Sequence, residues 1–163
     1  LCVNTVPGSA NQEARCKGVA DGAKAGKAKS KQLPLPSSNF GNPTAVSNAV
    51  KAALTKDKTI DGVVTIGTQD ADSAAAAIKA ASSKAKLGTF DMSENVLTRI
   101  AAGTQLFAID QQPWLQGYLA TSAAWQHAQY CILPASNPVL TGPAIVDKSN
   151  VAKVKTGVAA GVR

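Results

Sequence analysis

Three polar side chains follow one another between two apolar segments, at Asp110, Gln111 and Gln112. The segment before them, Leu106–Ile109, is typical of a buried strand, and Pro113 suits the first turn of a helix, where its missing N–H costs nothing. Open α/β sheets place ligands at the carboxyl ends of their strands. Side chains rich in donors and acceptors suit a neutral ligand with hydroxyl groups. A simple capped loop is the alternative interpretation.

The elements that must position these residues alternate along the chain. Strands are predicted at residues 1–5, 31–35, 63–66, 87–90, 106–109 and 139–146. Helices are predicted at about 9–26, 44–56, 70–83, 93–102 and 113–132, with one more at the end of the chain. This alternation predicts an α/β fold, with a parallel sheet and helices on both of its faces.

Parallel strands bring their carboxyl ends to one rim of the sheet. Next to the predicted strand ends lie Asn4, Asn39, Thr68, Asp91 and Gln111, with Arg15 one helix away. We therefore expect these polar groups to share one cleft.

A hydroxylated ring fits the chemistry of that rim. The Arg15 guanidinium donates hydrogen bonds, the Asp91 carboxylate accepts them, and the Gln111 amide does both. An arginine and an aspartate at opposite ends of a ring would fix its orientation through charge-assisted bonds. Phe40, in a loop next to glycine, could cover an apolar ring face. Simpler interpretations remain, since Asp91 could cap the helix that begins near Ser93 and Arg15 could be a surface residue.

The charge of the chain raises the question of nucleic-acid binding. The 163 residues carry 17 basic and 10 acidic side chains, a net charge of +7, and basic domains often bind nucleic acid. The basic residues between positions 15 and 31 lack interleaved aromatic residues, and they fall on the predicted exposed side of a helix. This pattern favours a solvated surface and no nucleic-acid partner.

The residue types that usually support catalysis or metal binding are not arranged for either. There is no G-x-S-x-G segment, no P-loop and no dinucleotide-binding motif, and His127 has no triad-like neighbours in the sequence. Cys2, Cys16 and Cys131 lack metal-ligand spacing. We predict a binding module, not an enzyme, with no cofactor and no metal. Cys2 and Cys16 could pair in an exported protein, but the favoured interpretation is two small buried residues without a bond.

Several segments occur in an order that is found in one known family. They are the helix start from Gly8 to Arg15, Ile60–Gly67, Phe90–Asp91, Gln111–Tyr118, Thr141–Val146 and the closing Gly161–Arg163. In this order and spacing the chain resembles the type I periplasmic sugar-binding proteins that feed ABC importers. The resemblance implies a periplasmic solute receptor that closes around a monosaccharide, a cyclic polyol or a related furanosyl ligand by hinge bending. It also implies a membrane permease as partner.

The resemblance implies ligand-binding roles for five residues. Arg15, Asp91 and Gln111 match sugar-binding positions of the family. Phe40 and Thr68 match less closely, because many relatives have Asn-Asp where this chain continues from Thr68 into Gln-Asp. The identity of the sugar is therefore left open.

The resemblance also divides the chain. Residues 1–105 and 139–163 are expected to form a C-terminal lobe, and residues 106–138 a hinge crossing and a helix that normally belongs to the N-terminal lobe. The N-terminal lobe and the signal peptide of an exported protein are expected outside this sequence. Two alternatives are the effector-binding lobe of a LacI-type transcription repressor, which shares the fold, and a fragment that binds nothing tightly.

Overall fold

Strands and helices alternate along the whole chain in the computed structural model, which describes residues 1–163. The strands are β1 (Cys2–Asn4), β2 (Gln32–Pro34), β3 (Gly62–Thr65), β4 (Lys86–Phe90), β5 (Phe107–Asp110) and β6 (Ala144–Asp147). The helices are α1 (Ala10–Ala25), α2 (Pro43–Lys56), α3 (Thr68–Ala80), α4 (Glu94–Ala102), α5 (Pro113–Tyr130) and α6 (Val151–Ala159). A short 3-10 helix, Ser37–Asn39, occupies part of a predicted loop.

All six strands belong to one sheet with the order β2-β1-β3-β4-β5-β6. The first five are parallel, and β6 pairs with β5 in the antiparallel direction. The predicted α/β fold with a mainly parallel sheet is confirmed, whereas the antiparallel direction of β6 was not anticipated. β6 begins at Ala144 instead of residue 139, after Pro143, which has no N–H to donate to a ladder.

β5 is an interior strand of this sheet. Phe107–Asp110 pairs with β4 on one side and with β6 on the other. The chain therefore leaves the sheet at Gln111.

One side of the sheet, here called the packed face, carries most of the core. Alternate strand residues point to it, and they meet apolar side chains of α2, α3, α4 and α6. The strand residues are Val3, Val63, Leu87, Ala108 and Val146. Since side chains alternate across a strand, the neighbours of these residues line the opposite side.

The opposite side, here called the open face, is covered mainly by α1. A small cluster of Cys2, Cys16 and Ile66 joins α1 to the sheet, with Val19 and Phe90 packed against it. A groove of about 620 Å³ runs between α1 and the strands.

An aromatic ring lies against this open face. The Phe107 ring covers Gly88 of the neighbouring strand so closely that a Cβ there would lie 2.4 Å from the ring. Glycine at position 88 is therefore what allows the ring to lie against the sheet.

Cys2 and Cys16 form a disulfide, which corrects the interpretation favoured from the sequence. α1 follows β1 directly and packs back over it, so that the two Cα atoms lie 5.6 Å apart, within the range that a disulfide spans. Cys131 is a free, exposed thiol just after α5.

α5 differs from the other helices because none of its residues is buried. Trp114 stacks on Tyr118, with 5.3 Å between the ring centroids, and Trp125 contacts Tyr130 edge to face. All four rings remain between 45% and 65% exposed. No helix of the chain combines the length and the apolar character that crossing a membrane requires.

Candidate functional site

A cluster of polar side chains forms at the carboxyl edge of the sheet, beginning with Arg15 of α1. One guanidinium nitrogen, Nη1, donates to the carbonyl oxygen of Ile66 at 2.7 Å and lies 3.6 Å from Oδ2 of Asp91. The guanidinium carbon lies 4.8 Å from the centroid of the Phe90 ring, a cation–π arrangement. Only 16% of the Arg15 side chain is exposed. Arg15 is therefore a positioned donor and not a free surface residue.

Gln111 reaches the same carboxylate from the other side. Its Nε2 donates to Oδ1 of Asp91, and its backbone lies where the chain leaves β5. The Asp91 amide donates to the carbonyl of Ile109 at 2.9 Å. The structure thus brings together Arg15, Asp91 and Gln111, which the sequence had placed at three separate strand and helix ends.

Asp91 has an unusual backbone conformation. Its φ is +65°, in the left-handed region that residues other than glycine rarely adopt. It does not cap α4, because Ser93 is the N-cap and its side chain accepts from the Val96 amide. Such conformations are frequent at functional sites, where they aim a side chain in a required direction. Here that direction leads to Arg15 and Gln111.

The cluster borders two surface cavities, each of a size that suits a small molecule. Arg15, Phe90 and Gln111 line one of about 380 Å³. Asp91 and Gln111 line another of about 390 Å³. With 38% of its side chain exposed, Asp91 keeps acceptor capacity for a further partner, since an ionised carboxylate has about four lone-pair sites.

Phe40 and Thr68 are not part of this cluster. Phe40 is 63% exposed in the loop after β2, and β2 lies at the far edge of the sheet, three strand positions from β4. At strand spacings of about 4.8 Å this separation is about 14 Å. Thr68 is the first residue of α3, and neither residue takes part in the contacts among Arg15, Asp91 and Gln111.

Asn4 has a structural function instead of facing a cleft. It is fully buried, its Nδ2 donates to Oε1 of Glu13 at 2.9 Å, and its Oδ1 accepts from the Val6 amide. These partners lie in the turn after β1 and in the first turn of α1. The side chain therefore stabilises that turn.

Behind Gln111 lies a junction that sequence reasoning did not resolve. Asp110 is only 2% exposed; its Oδ2 accepts from Nε of Arg163 at 2.8 Å and its Oδ1 accepts from the Gln112 amide. Thr141 donates through Oγ1 to the Gln111 carbonyl and accepts from Nε2 of Gln112. The outgoing and returning segments are thus hydrogen-bonded to each other. The closing G-x-R segment was the only sequence signal for Arg163.

Buried polar groups also lie on the packed face below the site. Thr5 donates through Oγ1 to Oδ2 of Asp70 at 3.0 Å, and Thr65 donates to Thr89 at 2.7 Å. Burial raises the pKa of Asp70, and the hydrogen bond from Thr5 only partly opposes this effect. The first bond joins the residue after β1 to α3, and the second joins β3 to β4. The sequence contained no pattern that predicted them.

The sheet order and the position of the cluster define the class of protein. Residues 1–130 match the family described as periplasmic binding protein domain, and the chain belongs to this family. The family is one of non-enzymatic substrate-binding proteins. The prediction that the chain is not an enzyme is therefore confirmed. The comparison with curated proteins gives no match.

Solved structures agree with this assignment. The chain is similar to a carbohydrate transporter from Acidothermus cellulolyticus 11B in complex with myo-inositol, with 36% identity, a TM-score of 0.87, and coverage of 99% of this chain and 55% of that one. A Caulobacter myo-inositol binding protein bound to myo-inositol has 25% identity, a TM-score of 0.73, and coverage of 93% and 52%.

A third structure shows the same fold at lower identity. The periplasmic ribose ABC transporter from Conexibacter woesei DSM 14684 has 18% identity, a TM-score of 0.82, and coverage of 98% and 54%. The chain thus spans about half the length of the structures it matches.

Proposed function

We propose that the chain is the C-terminal lobe, with hinge segments, of the solute-binding component of a sugar ABC importer. The observation that carries this proposal is the convergence of Arg15, Asp91 and Gln111 at the carboxyl edge of the sheet in a member of this family. The bound molecule is a monosaccharide, a cyclic polyol or a related furanosyl compound, held in a cleft that closes by hinge bending.

The chemistry of the cluster supports a neutral polyhydroxylated ligand. A hydroxyl group can donate to the Asp91 carboxylate while it accepts from Arg15, and charge-assisted bonds of this kind are about twice as strong as neutral ones. Gln111 supplies both a donor and an acceptor. Similarity to a structure that holds myo-inositol makes a cyclic polyol the first candidate.

The packing of the elements supports a division of the chain between two lobes. Residues 1–110 and 144–163 form one sheet and its helices, and we assign them to the C-terminal lobe. The segment 111–143 contains the crossings and α5. The exposed rings of Trp114 and Trp125 on α5 form a surface that an N-terminal lobe would cover.

The disulfide supports a periplasmic location. Disulfides persist in oxidising compartments such as the bacterial periplasm and are rare in the cytosol, and the Cys2–Cys16 bond joins two core elements. The protein would deliver its ligand from there to a membrane permease.

A ligand screen on the two-lobed protein tests the proposal. Thermal unfolding is measured with myo-inositol, ribose, arabinose, glucose and allose, each in large excess. A ligand at 100 times its dissociation constant should raise the stability by about 2.7 kcal/mol. A protein that responds to none of these compounds, or a DNA-binding helix pair in the sequence before Leu1, would contradict the proposal.

Substitutions at the cluster sharpen this test. Arg15→Ala or Asp91→Ala should weaken binding of the identified ligand by about 2–5 kcal/mol in calorimetry, because each removes one member of a charge-assisted group. Lys24→Ala, on the exposed side of α1, and Asp61→Ala, at the opposite edge of the sheet, are matched controls. If the site variants bind within about twofold of wild type, the cluster is not the binding site.

A further inference from the structure

The helix that carries Arg15 has the least hydrophobic anchoring of the helices packed on the sheet. Only one of the 16 residues of α1 is buried, and that residue is Cys16. By contrast, α4 buries three residues in only nine. Gly18 and Gly22 of α1 line the groove of the open face, and a Cβ at either would meet no atom within 4 Å.

Weak packing of this kind makes a helix prone to local opening. Segments with few buried apolar contacts open at free energies below that of global unfolding, and each glycine inside a helix costs about 1 kcal/mol relative to alanine. Some other contact must therefore hold α1 in its position.

Polar contacts hold the first turn of α1. Glu13 accepts hydrogen bonds from Asn4 and from the Gly8 amide, at 2.9 and 3.0 Å, and Gln32 donates to its other oxygen. The amide of Gly8 and the side chain of Gln32 hold the pKa of Glu13 below its usual value. The bonds from Gly8 and Gln32 are exposed to solvent, where each contributes little net stability.

The disulfide that cross-links α1 to the sheet lies next to Arg15. Cys16 is 4% exposed and is bonded to the fully buried Cys2 of β1. Arg15 precedes Cys16 directly, and its contacts with the Ile66 carbonyl and with Asp91 require α1 to stay at its present height above the sheet.

We propose that the Cys2–Cys16 disulfide is a positioning element of the ligand site. It holds α1 against β1 and thereby sets the Arg15 guanidinium beside Asp91. This inference rests on the proposed function, because it concerns the same site. A dithiol reductant removes the restraint: the S–S bond breaks, two thiols form by uptake of two electrons and two protons, and the reductant closes to its own disulfide.

Amide hydrogen exchange on the two-lobed protein tests the anchoring without any ligand. After treatment with dithiothreitol, the amides of α1 should exchange about tenfold faster or more, while those of α3 on the packed face should keep their rates. The Cys2→Ala/Cys16→Ala variant should show the same pattern without reductant. Cys131→Ser should behave as wild type, because that thiol is unpaired.

A double-mutant cycle tests the link to Arg15. With myo-inositol, or whichever compound of the screen binds, reduction should weaken binding about tenfold in wild type and less than about twofold in Arg15→Ala. A purely structural bond would weaken both proteins equally. The Cys2→Ala/Cys16→Ala variant, alone and combined with Arg15→Ala, repeats the cycle without reductant.

Two results would overturn the inference. Unchanged exchange of α1 after reduction would show that the contacts of Glu13 hold the helix by themselves. Equal losses of affinity in wild type and in Arg15→Ala would show that the bond acts on the fold as a whole. If no compound of the screen binds in either redox state, the proposed function fails and the inference about the ligand site fails with it. The exchange measurement then decides only whether the disulfide anchors α1.

Discussion

The packed face and the open face of the sheet use the same strands but hold their helices by different means. On the packed face, α2 and α4 are held by buried aliphatic side chains such as Val50 and Ile100. On the open face, α1 is held by one disulfide and by polar contacts of Glu13 and Arg15. The arginine of the candidate site therefore lies on the helix that has the smallest share of buried residues among those packed on the sheet.

This difference indicates two ways of positioning a side chain. Burial of apolar area stabilises a helix without directing any one residue, since the hydrophobic effect is not directional. A disulfide and charged hydrogen bonds act at defined atoms. On the open face, a disulfide and charged hydrogen bonds position α1 close to Arg15. The neighbouring strand residues Phe107 and Ile109 remain partly exposed.

The largest expected difference between the two faces is in the free energy of unfolding that is lost when a side chain of one of their helices is shortened. Ile100→Ala removes a fully buried side chain of α4 and should lower the free energy of unfolding by about 2–5 kcal/mol. Val19→Ala, on α1, removes a half-buried side chain and should cost less than about 1 kcal/mol. Urea unfolding measures both. Similar costs would mean that the two faces are packed equally well.

A smaller difference in the free energy of unfolding is expected between variants of two adjacent residues of β3. Val63 points to the packed face and is fully buried, whereas Val64 points to the open face and lines the groove. Val63→Ala should cost about 2 kcal/mol and Val64→Ala about half as much, because less apolar area is lost. Both variants replace a valine by an alanine in the same strand. Equal costs in the two-lobed protein would show that another segment covers the groove.

The smallest expected effect is a pH dependence of the stability that arises from Asp70 on the packed face. Because burial raises the pKa of Asp70 above its ordinary 3.8, the native state binds this proton more tightly than the unfolded state. The contribution of Asp70 is therefore most favourable below pH 3.8 and decreases as the pH rises through the native pKa.

Asp70→Asn keeps an acceptor for Thr5 but cannot ionise. Relative to this variant, wild type should lose stability as the pH rises from below 3.8 towards neutrality. Asp61→Asn, at an exposed position, is the matched control. If the stability of wild type and that of Asp70→Asn differ by a constant amount across this range, burial does not raise the pKa of Asp70.

The prediction from sequence succeeded where local patterns determine structure. Apolar periodicity and a cap residue, Ser93 of α4, located the strands and helices to within a few residues, with the start of β6 as the exception. Parallel strand ends placed Arg15, Asp91 and Gln111 at one edge, where the structure brings them together.

Local patterns were not sufficient where the order of strands in space mattered. Phe40 was expected to cover an apolar ring face, and the sequence could not show that its loop follows a strand at the outer edge of the sheet. Arg163 and Asp110 are 53 residues apart, and their ion pair depends on the return of the chain through β6. The bond between Cys2 and Cys16 depends on the side on which α1 packs.

The sequence by itself determined the types of the elements, their order and the polar residues at their ends. These depend on the repeat of side chains within a few residues along one strand or helix. The tertiary structure alone decided which strand ends are neighbours, which face of the sheet is packed and which contact holds the helix of Arg15. These depend on pairing between segments far apart in the chain, for which no local period exists.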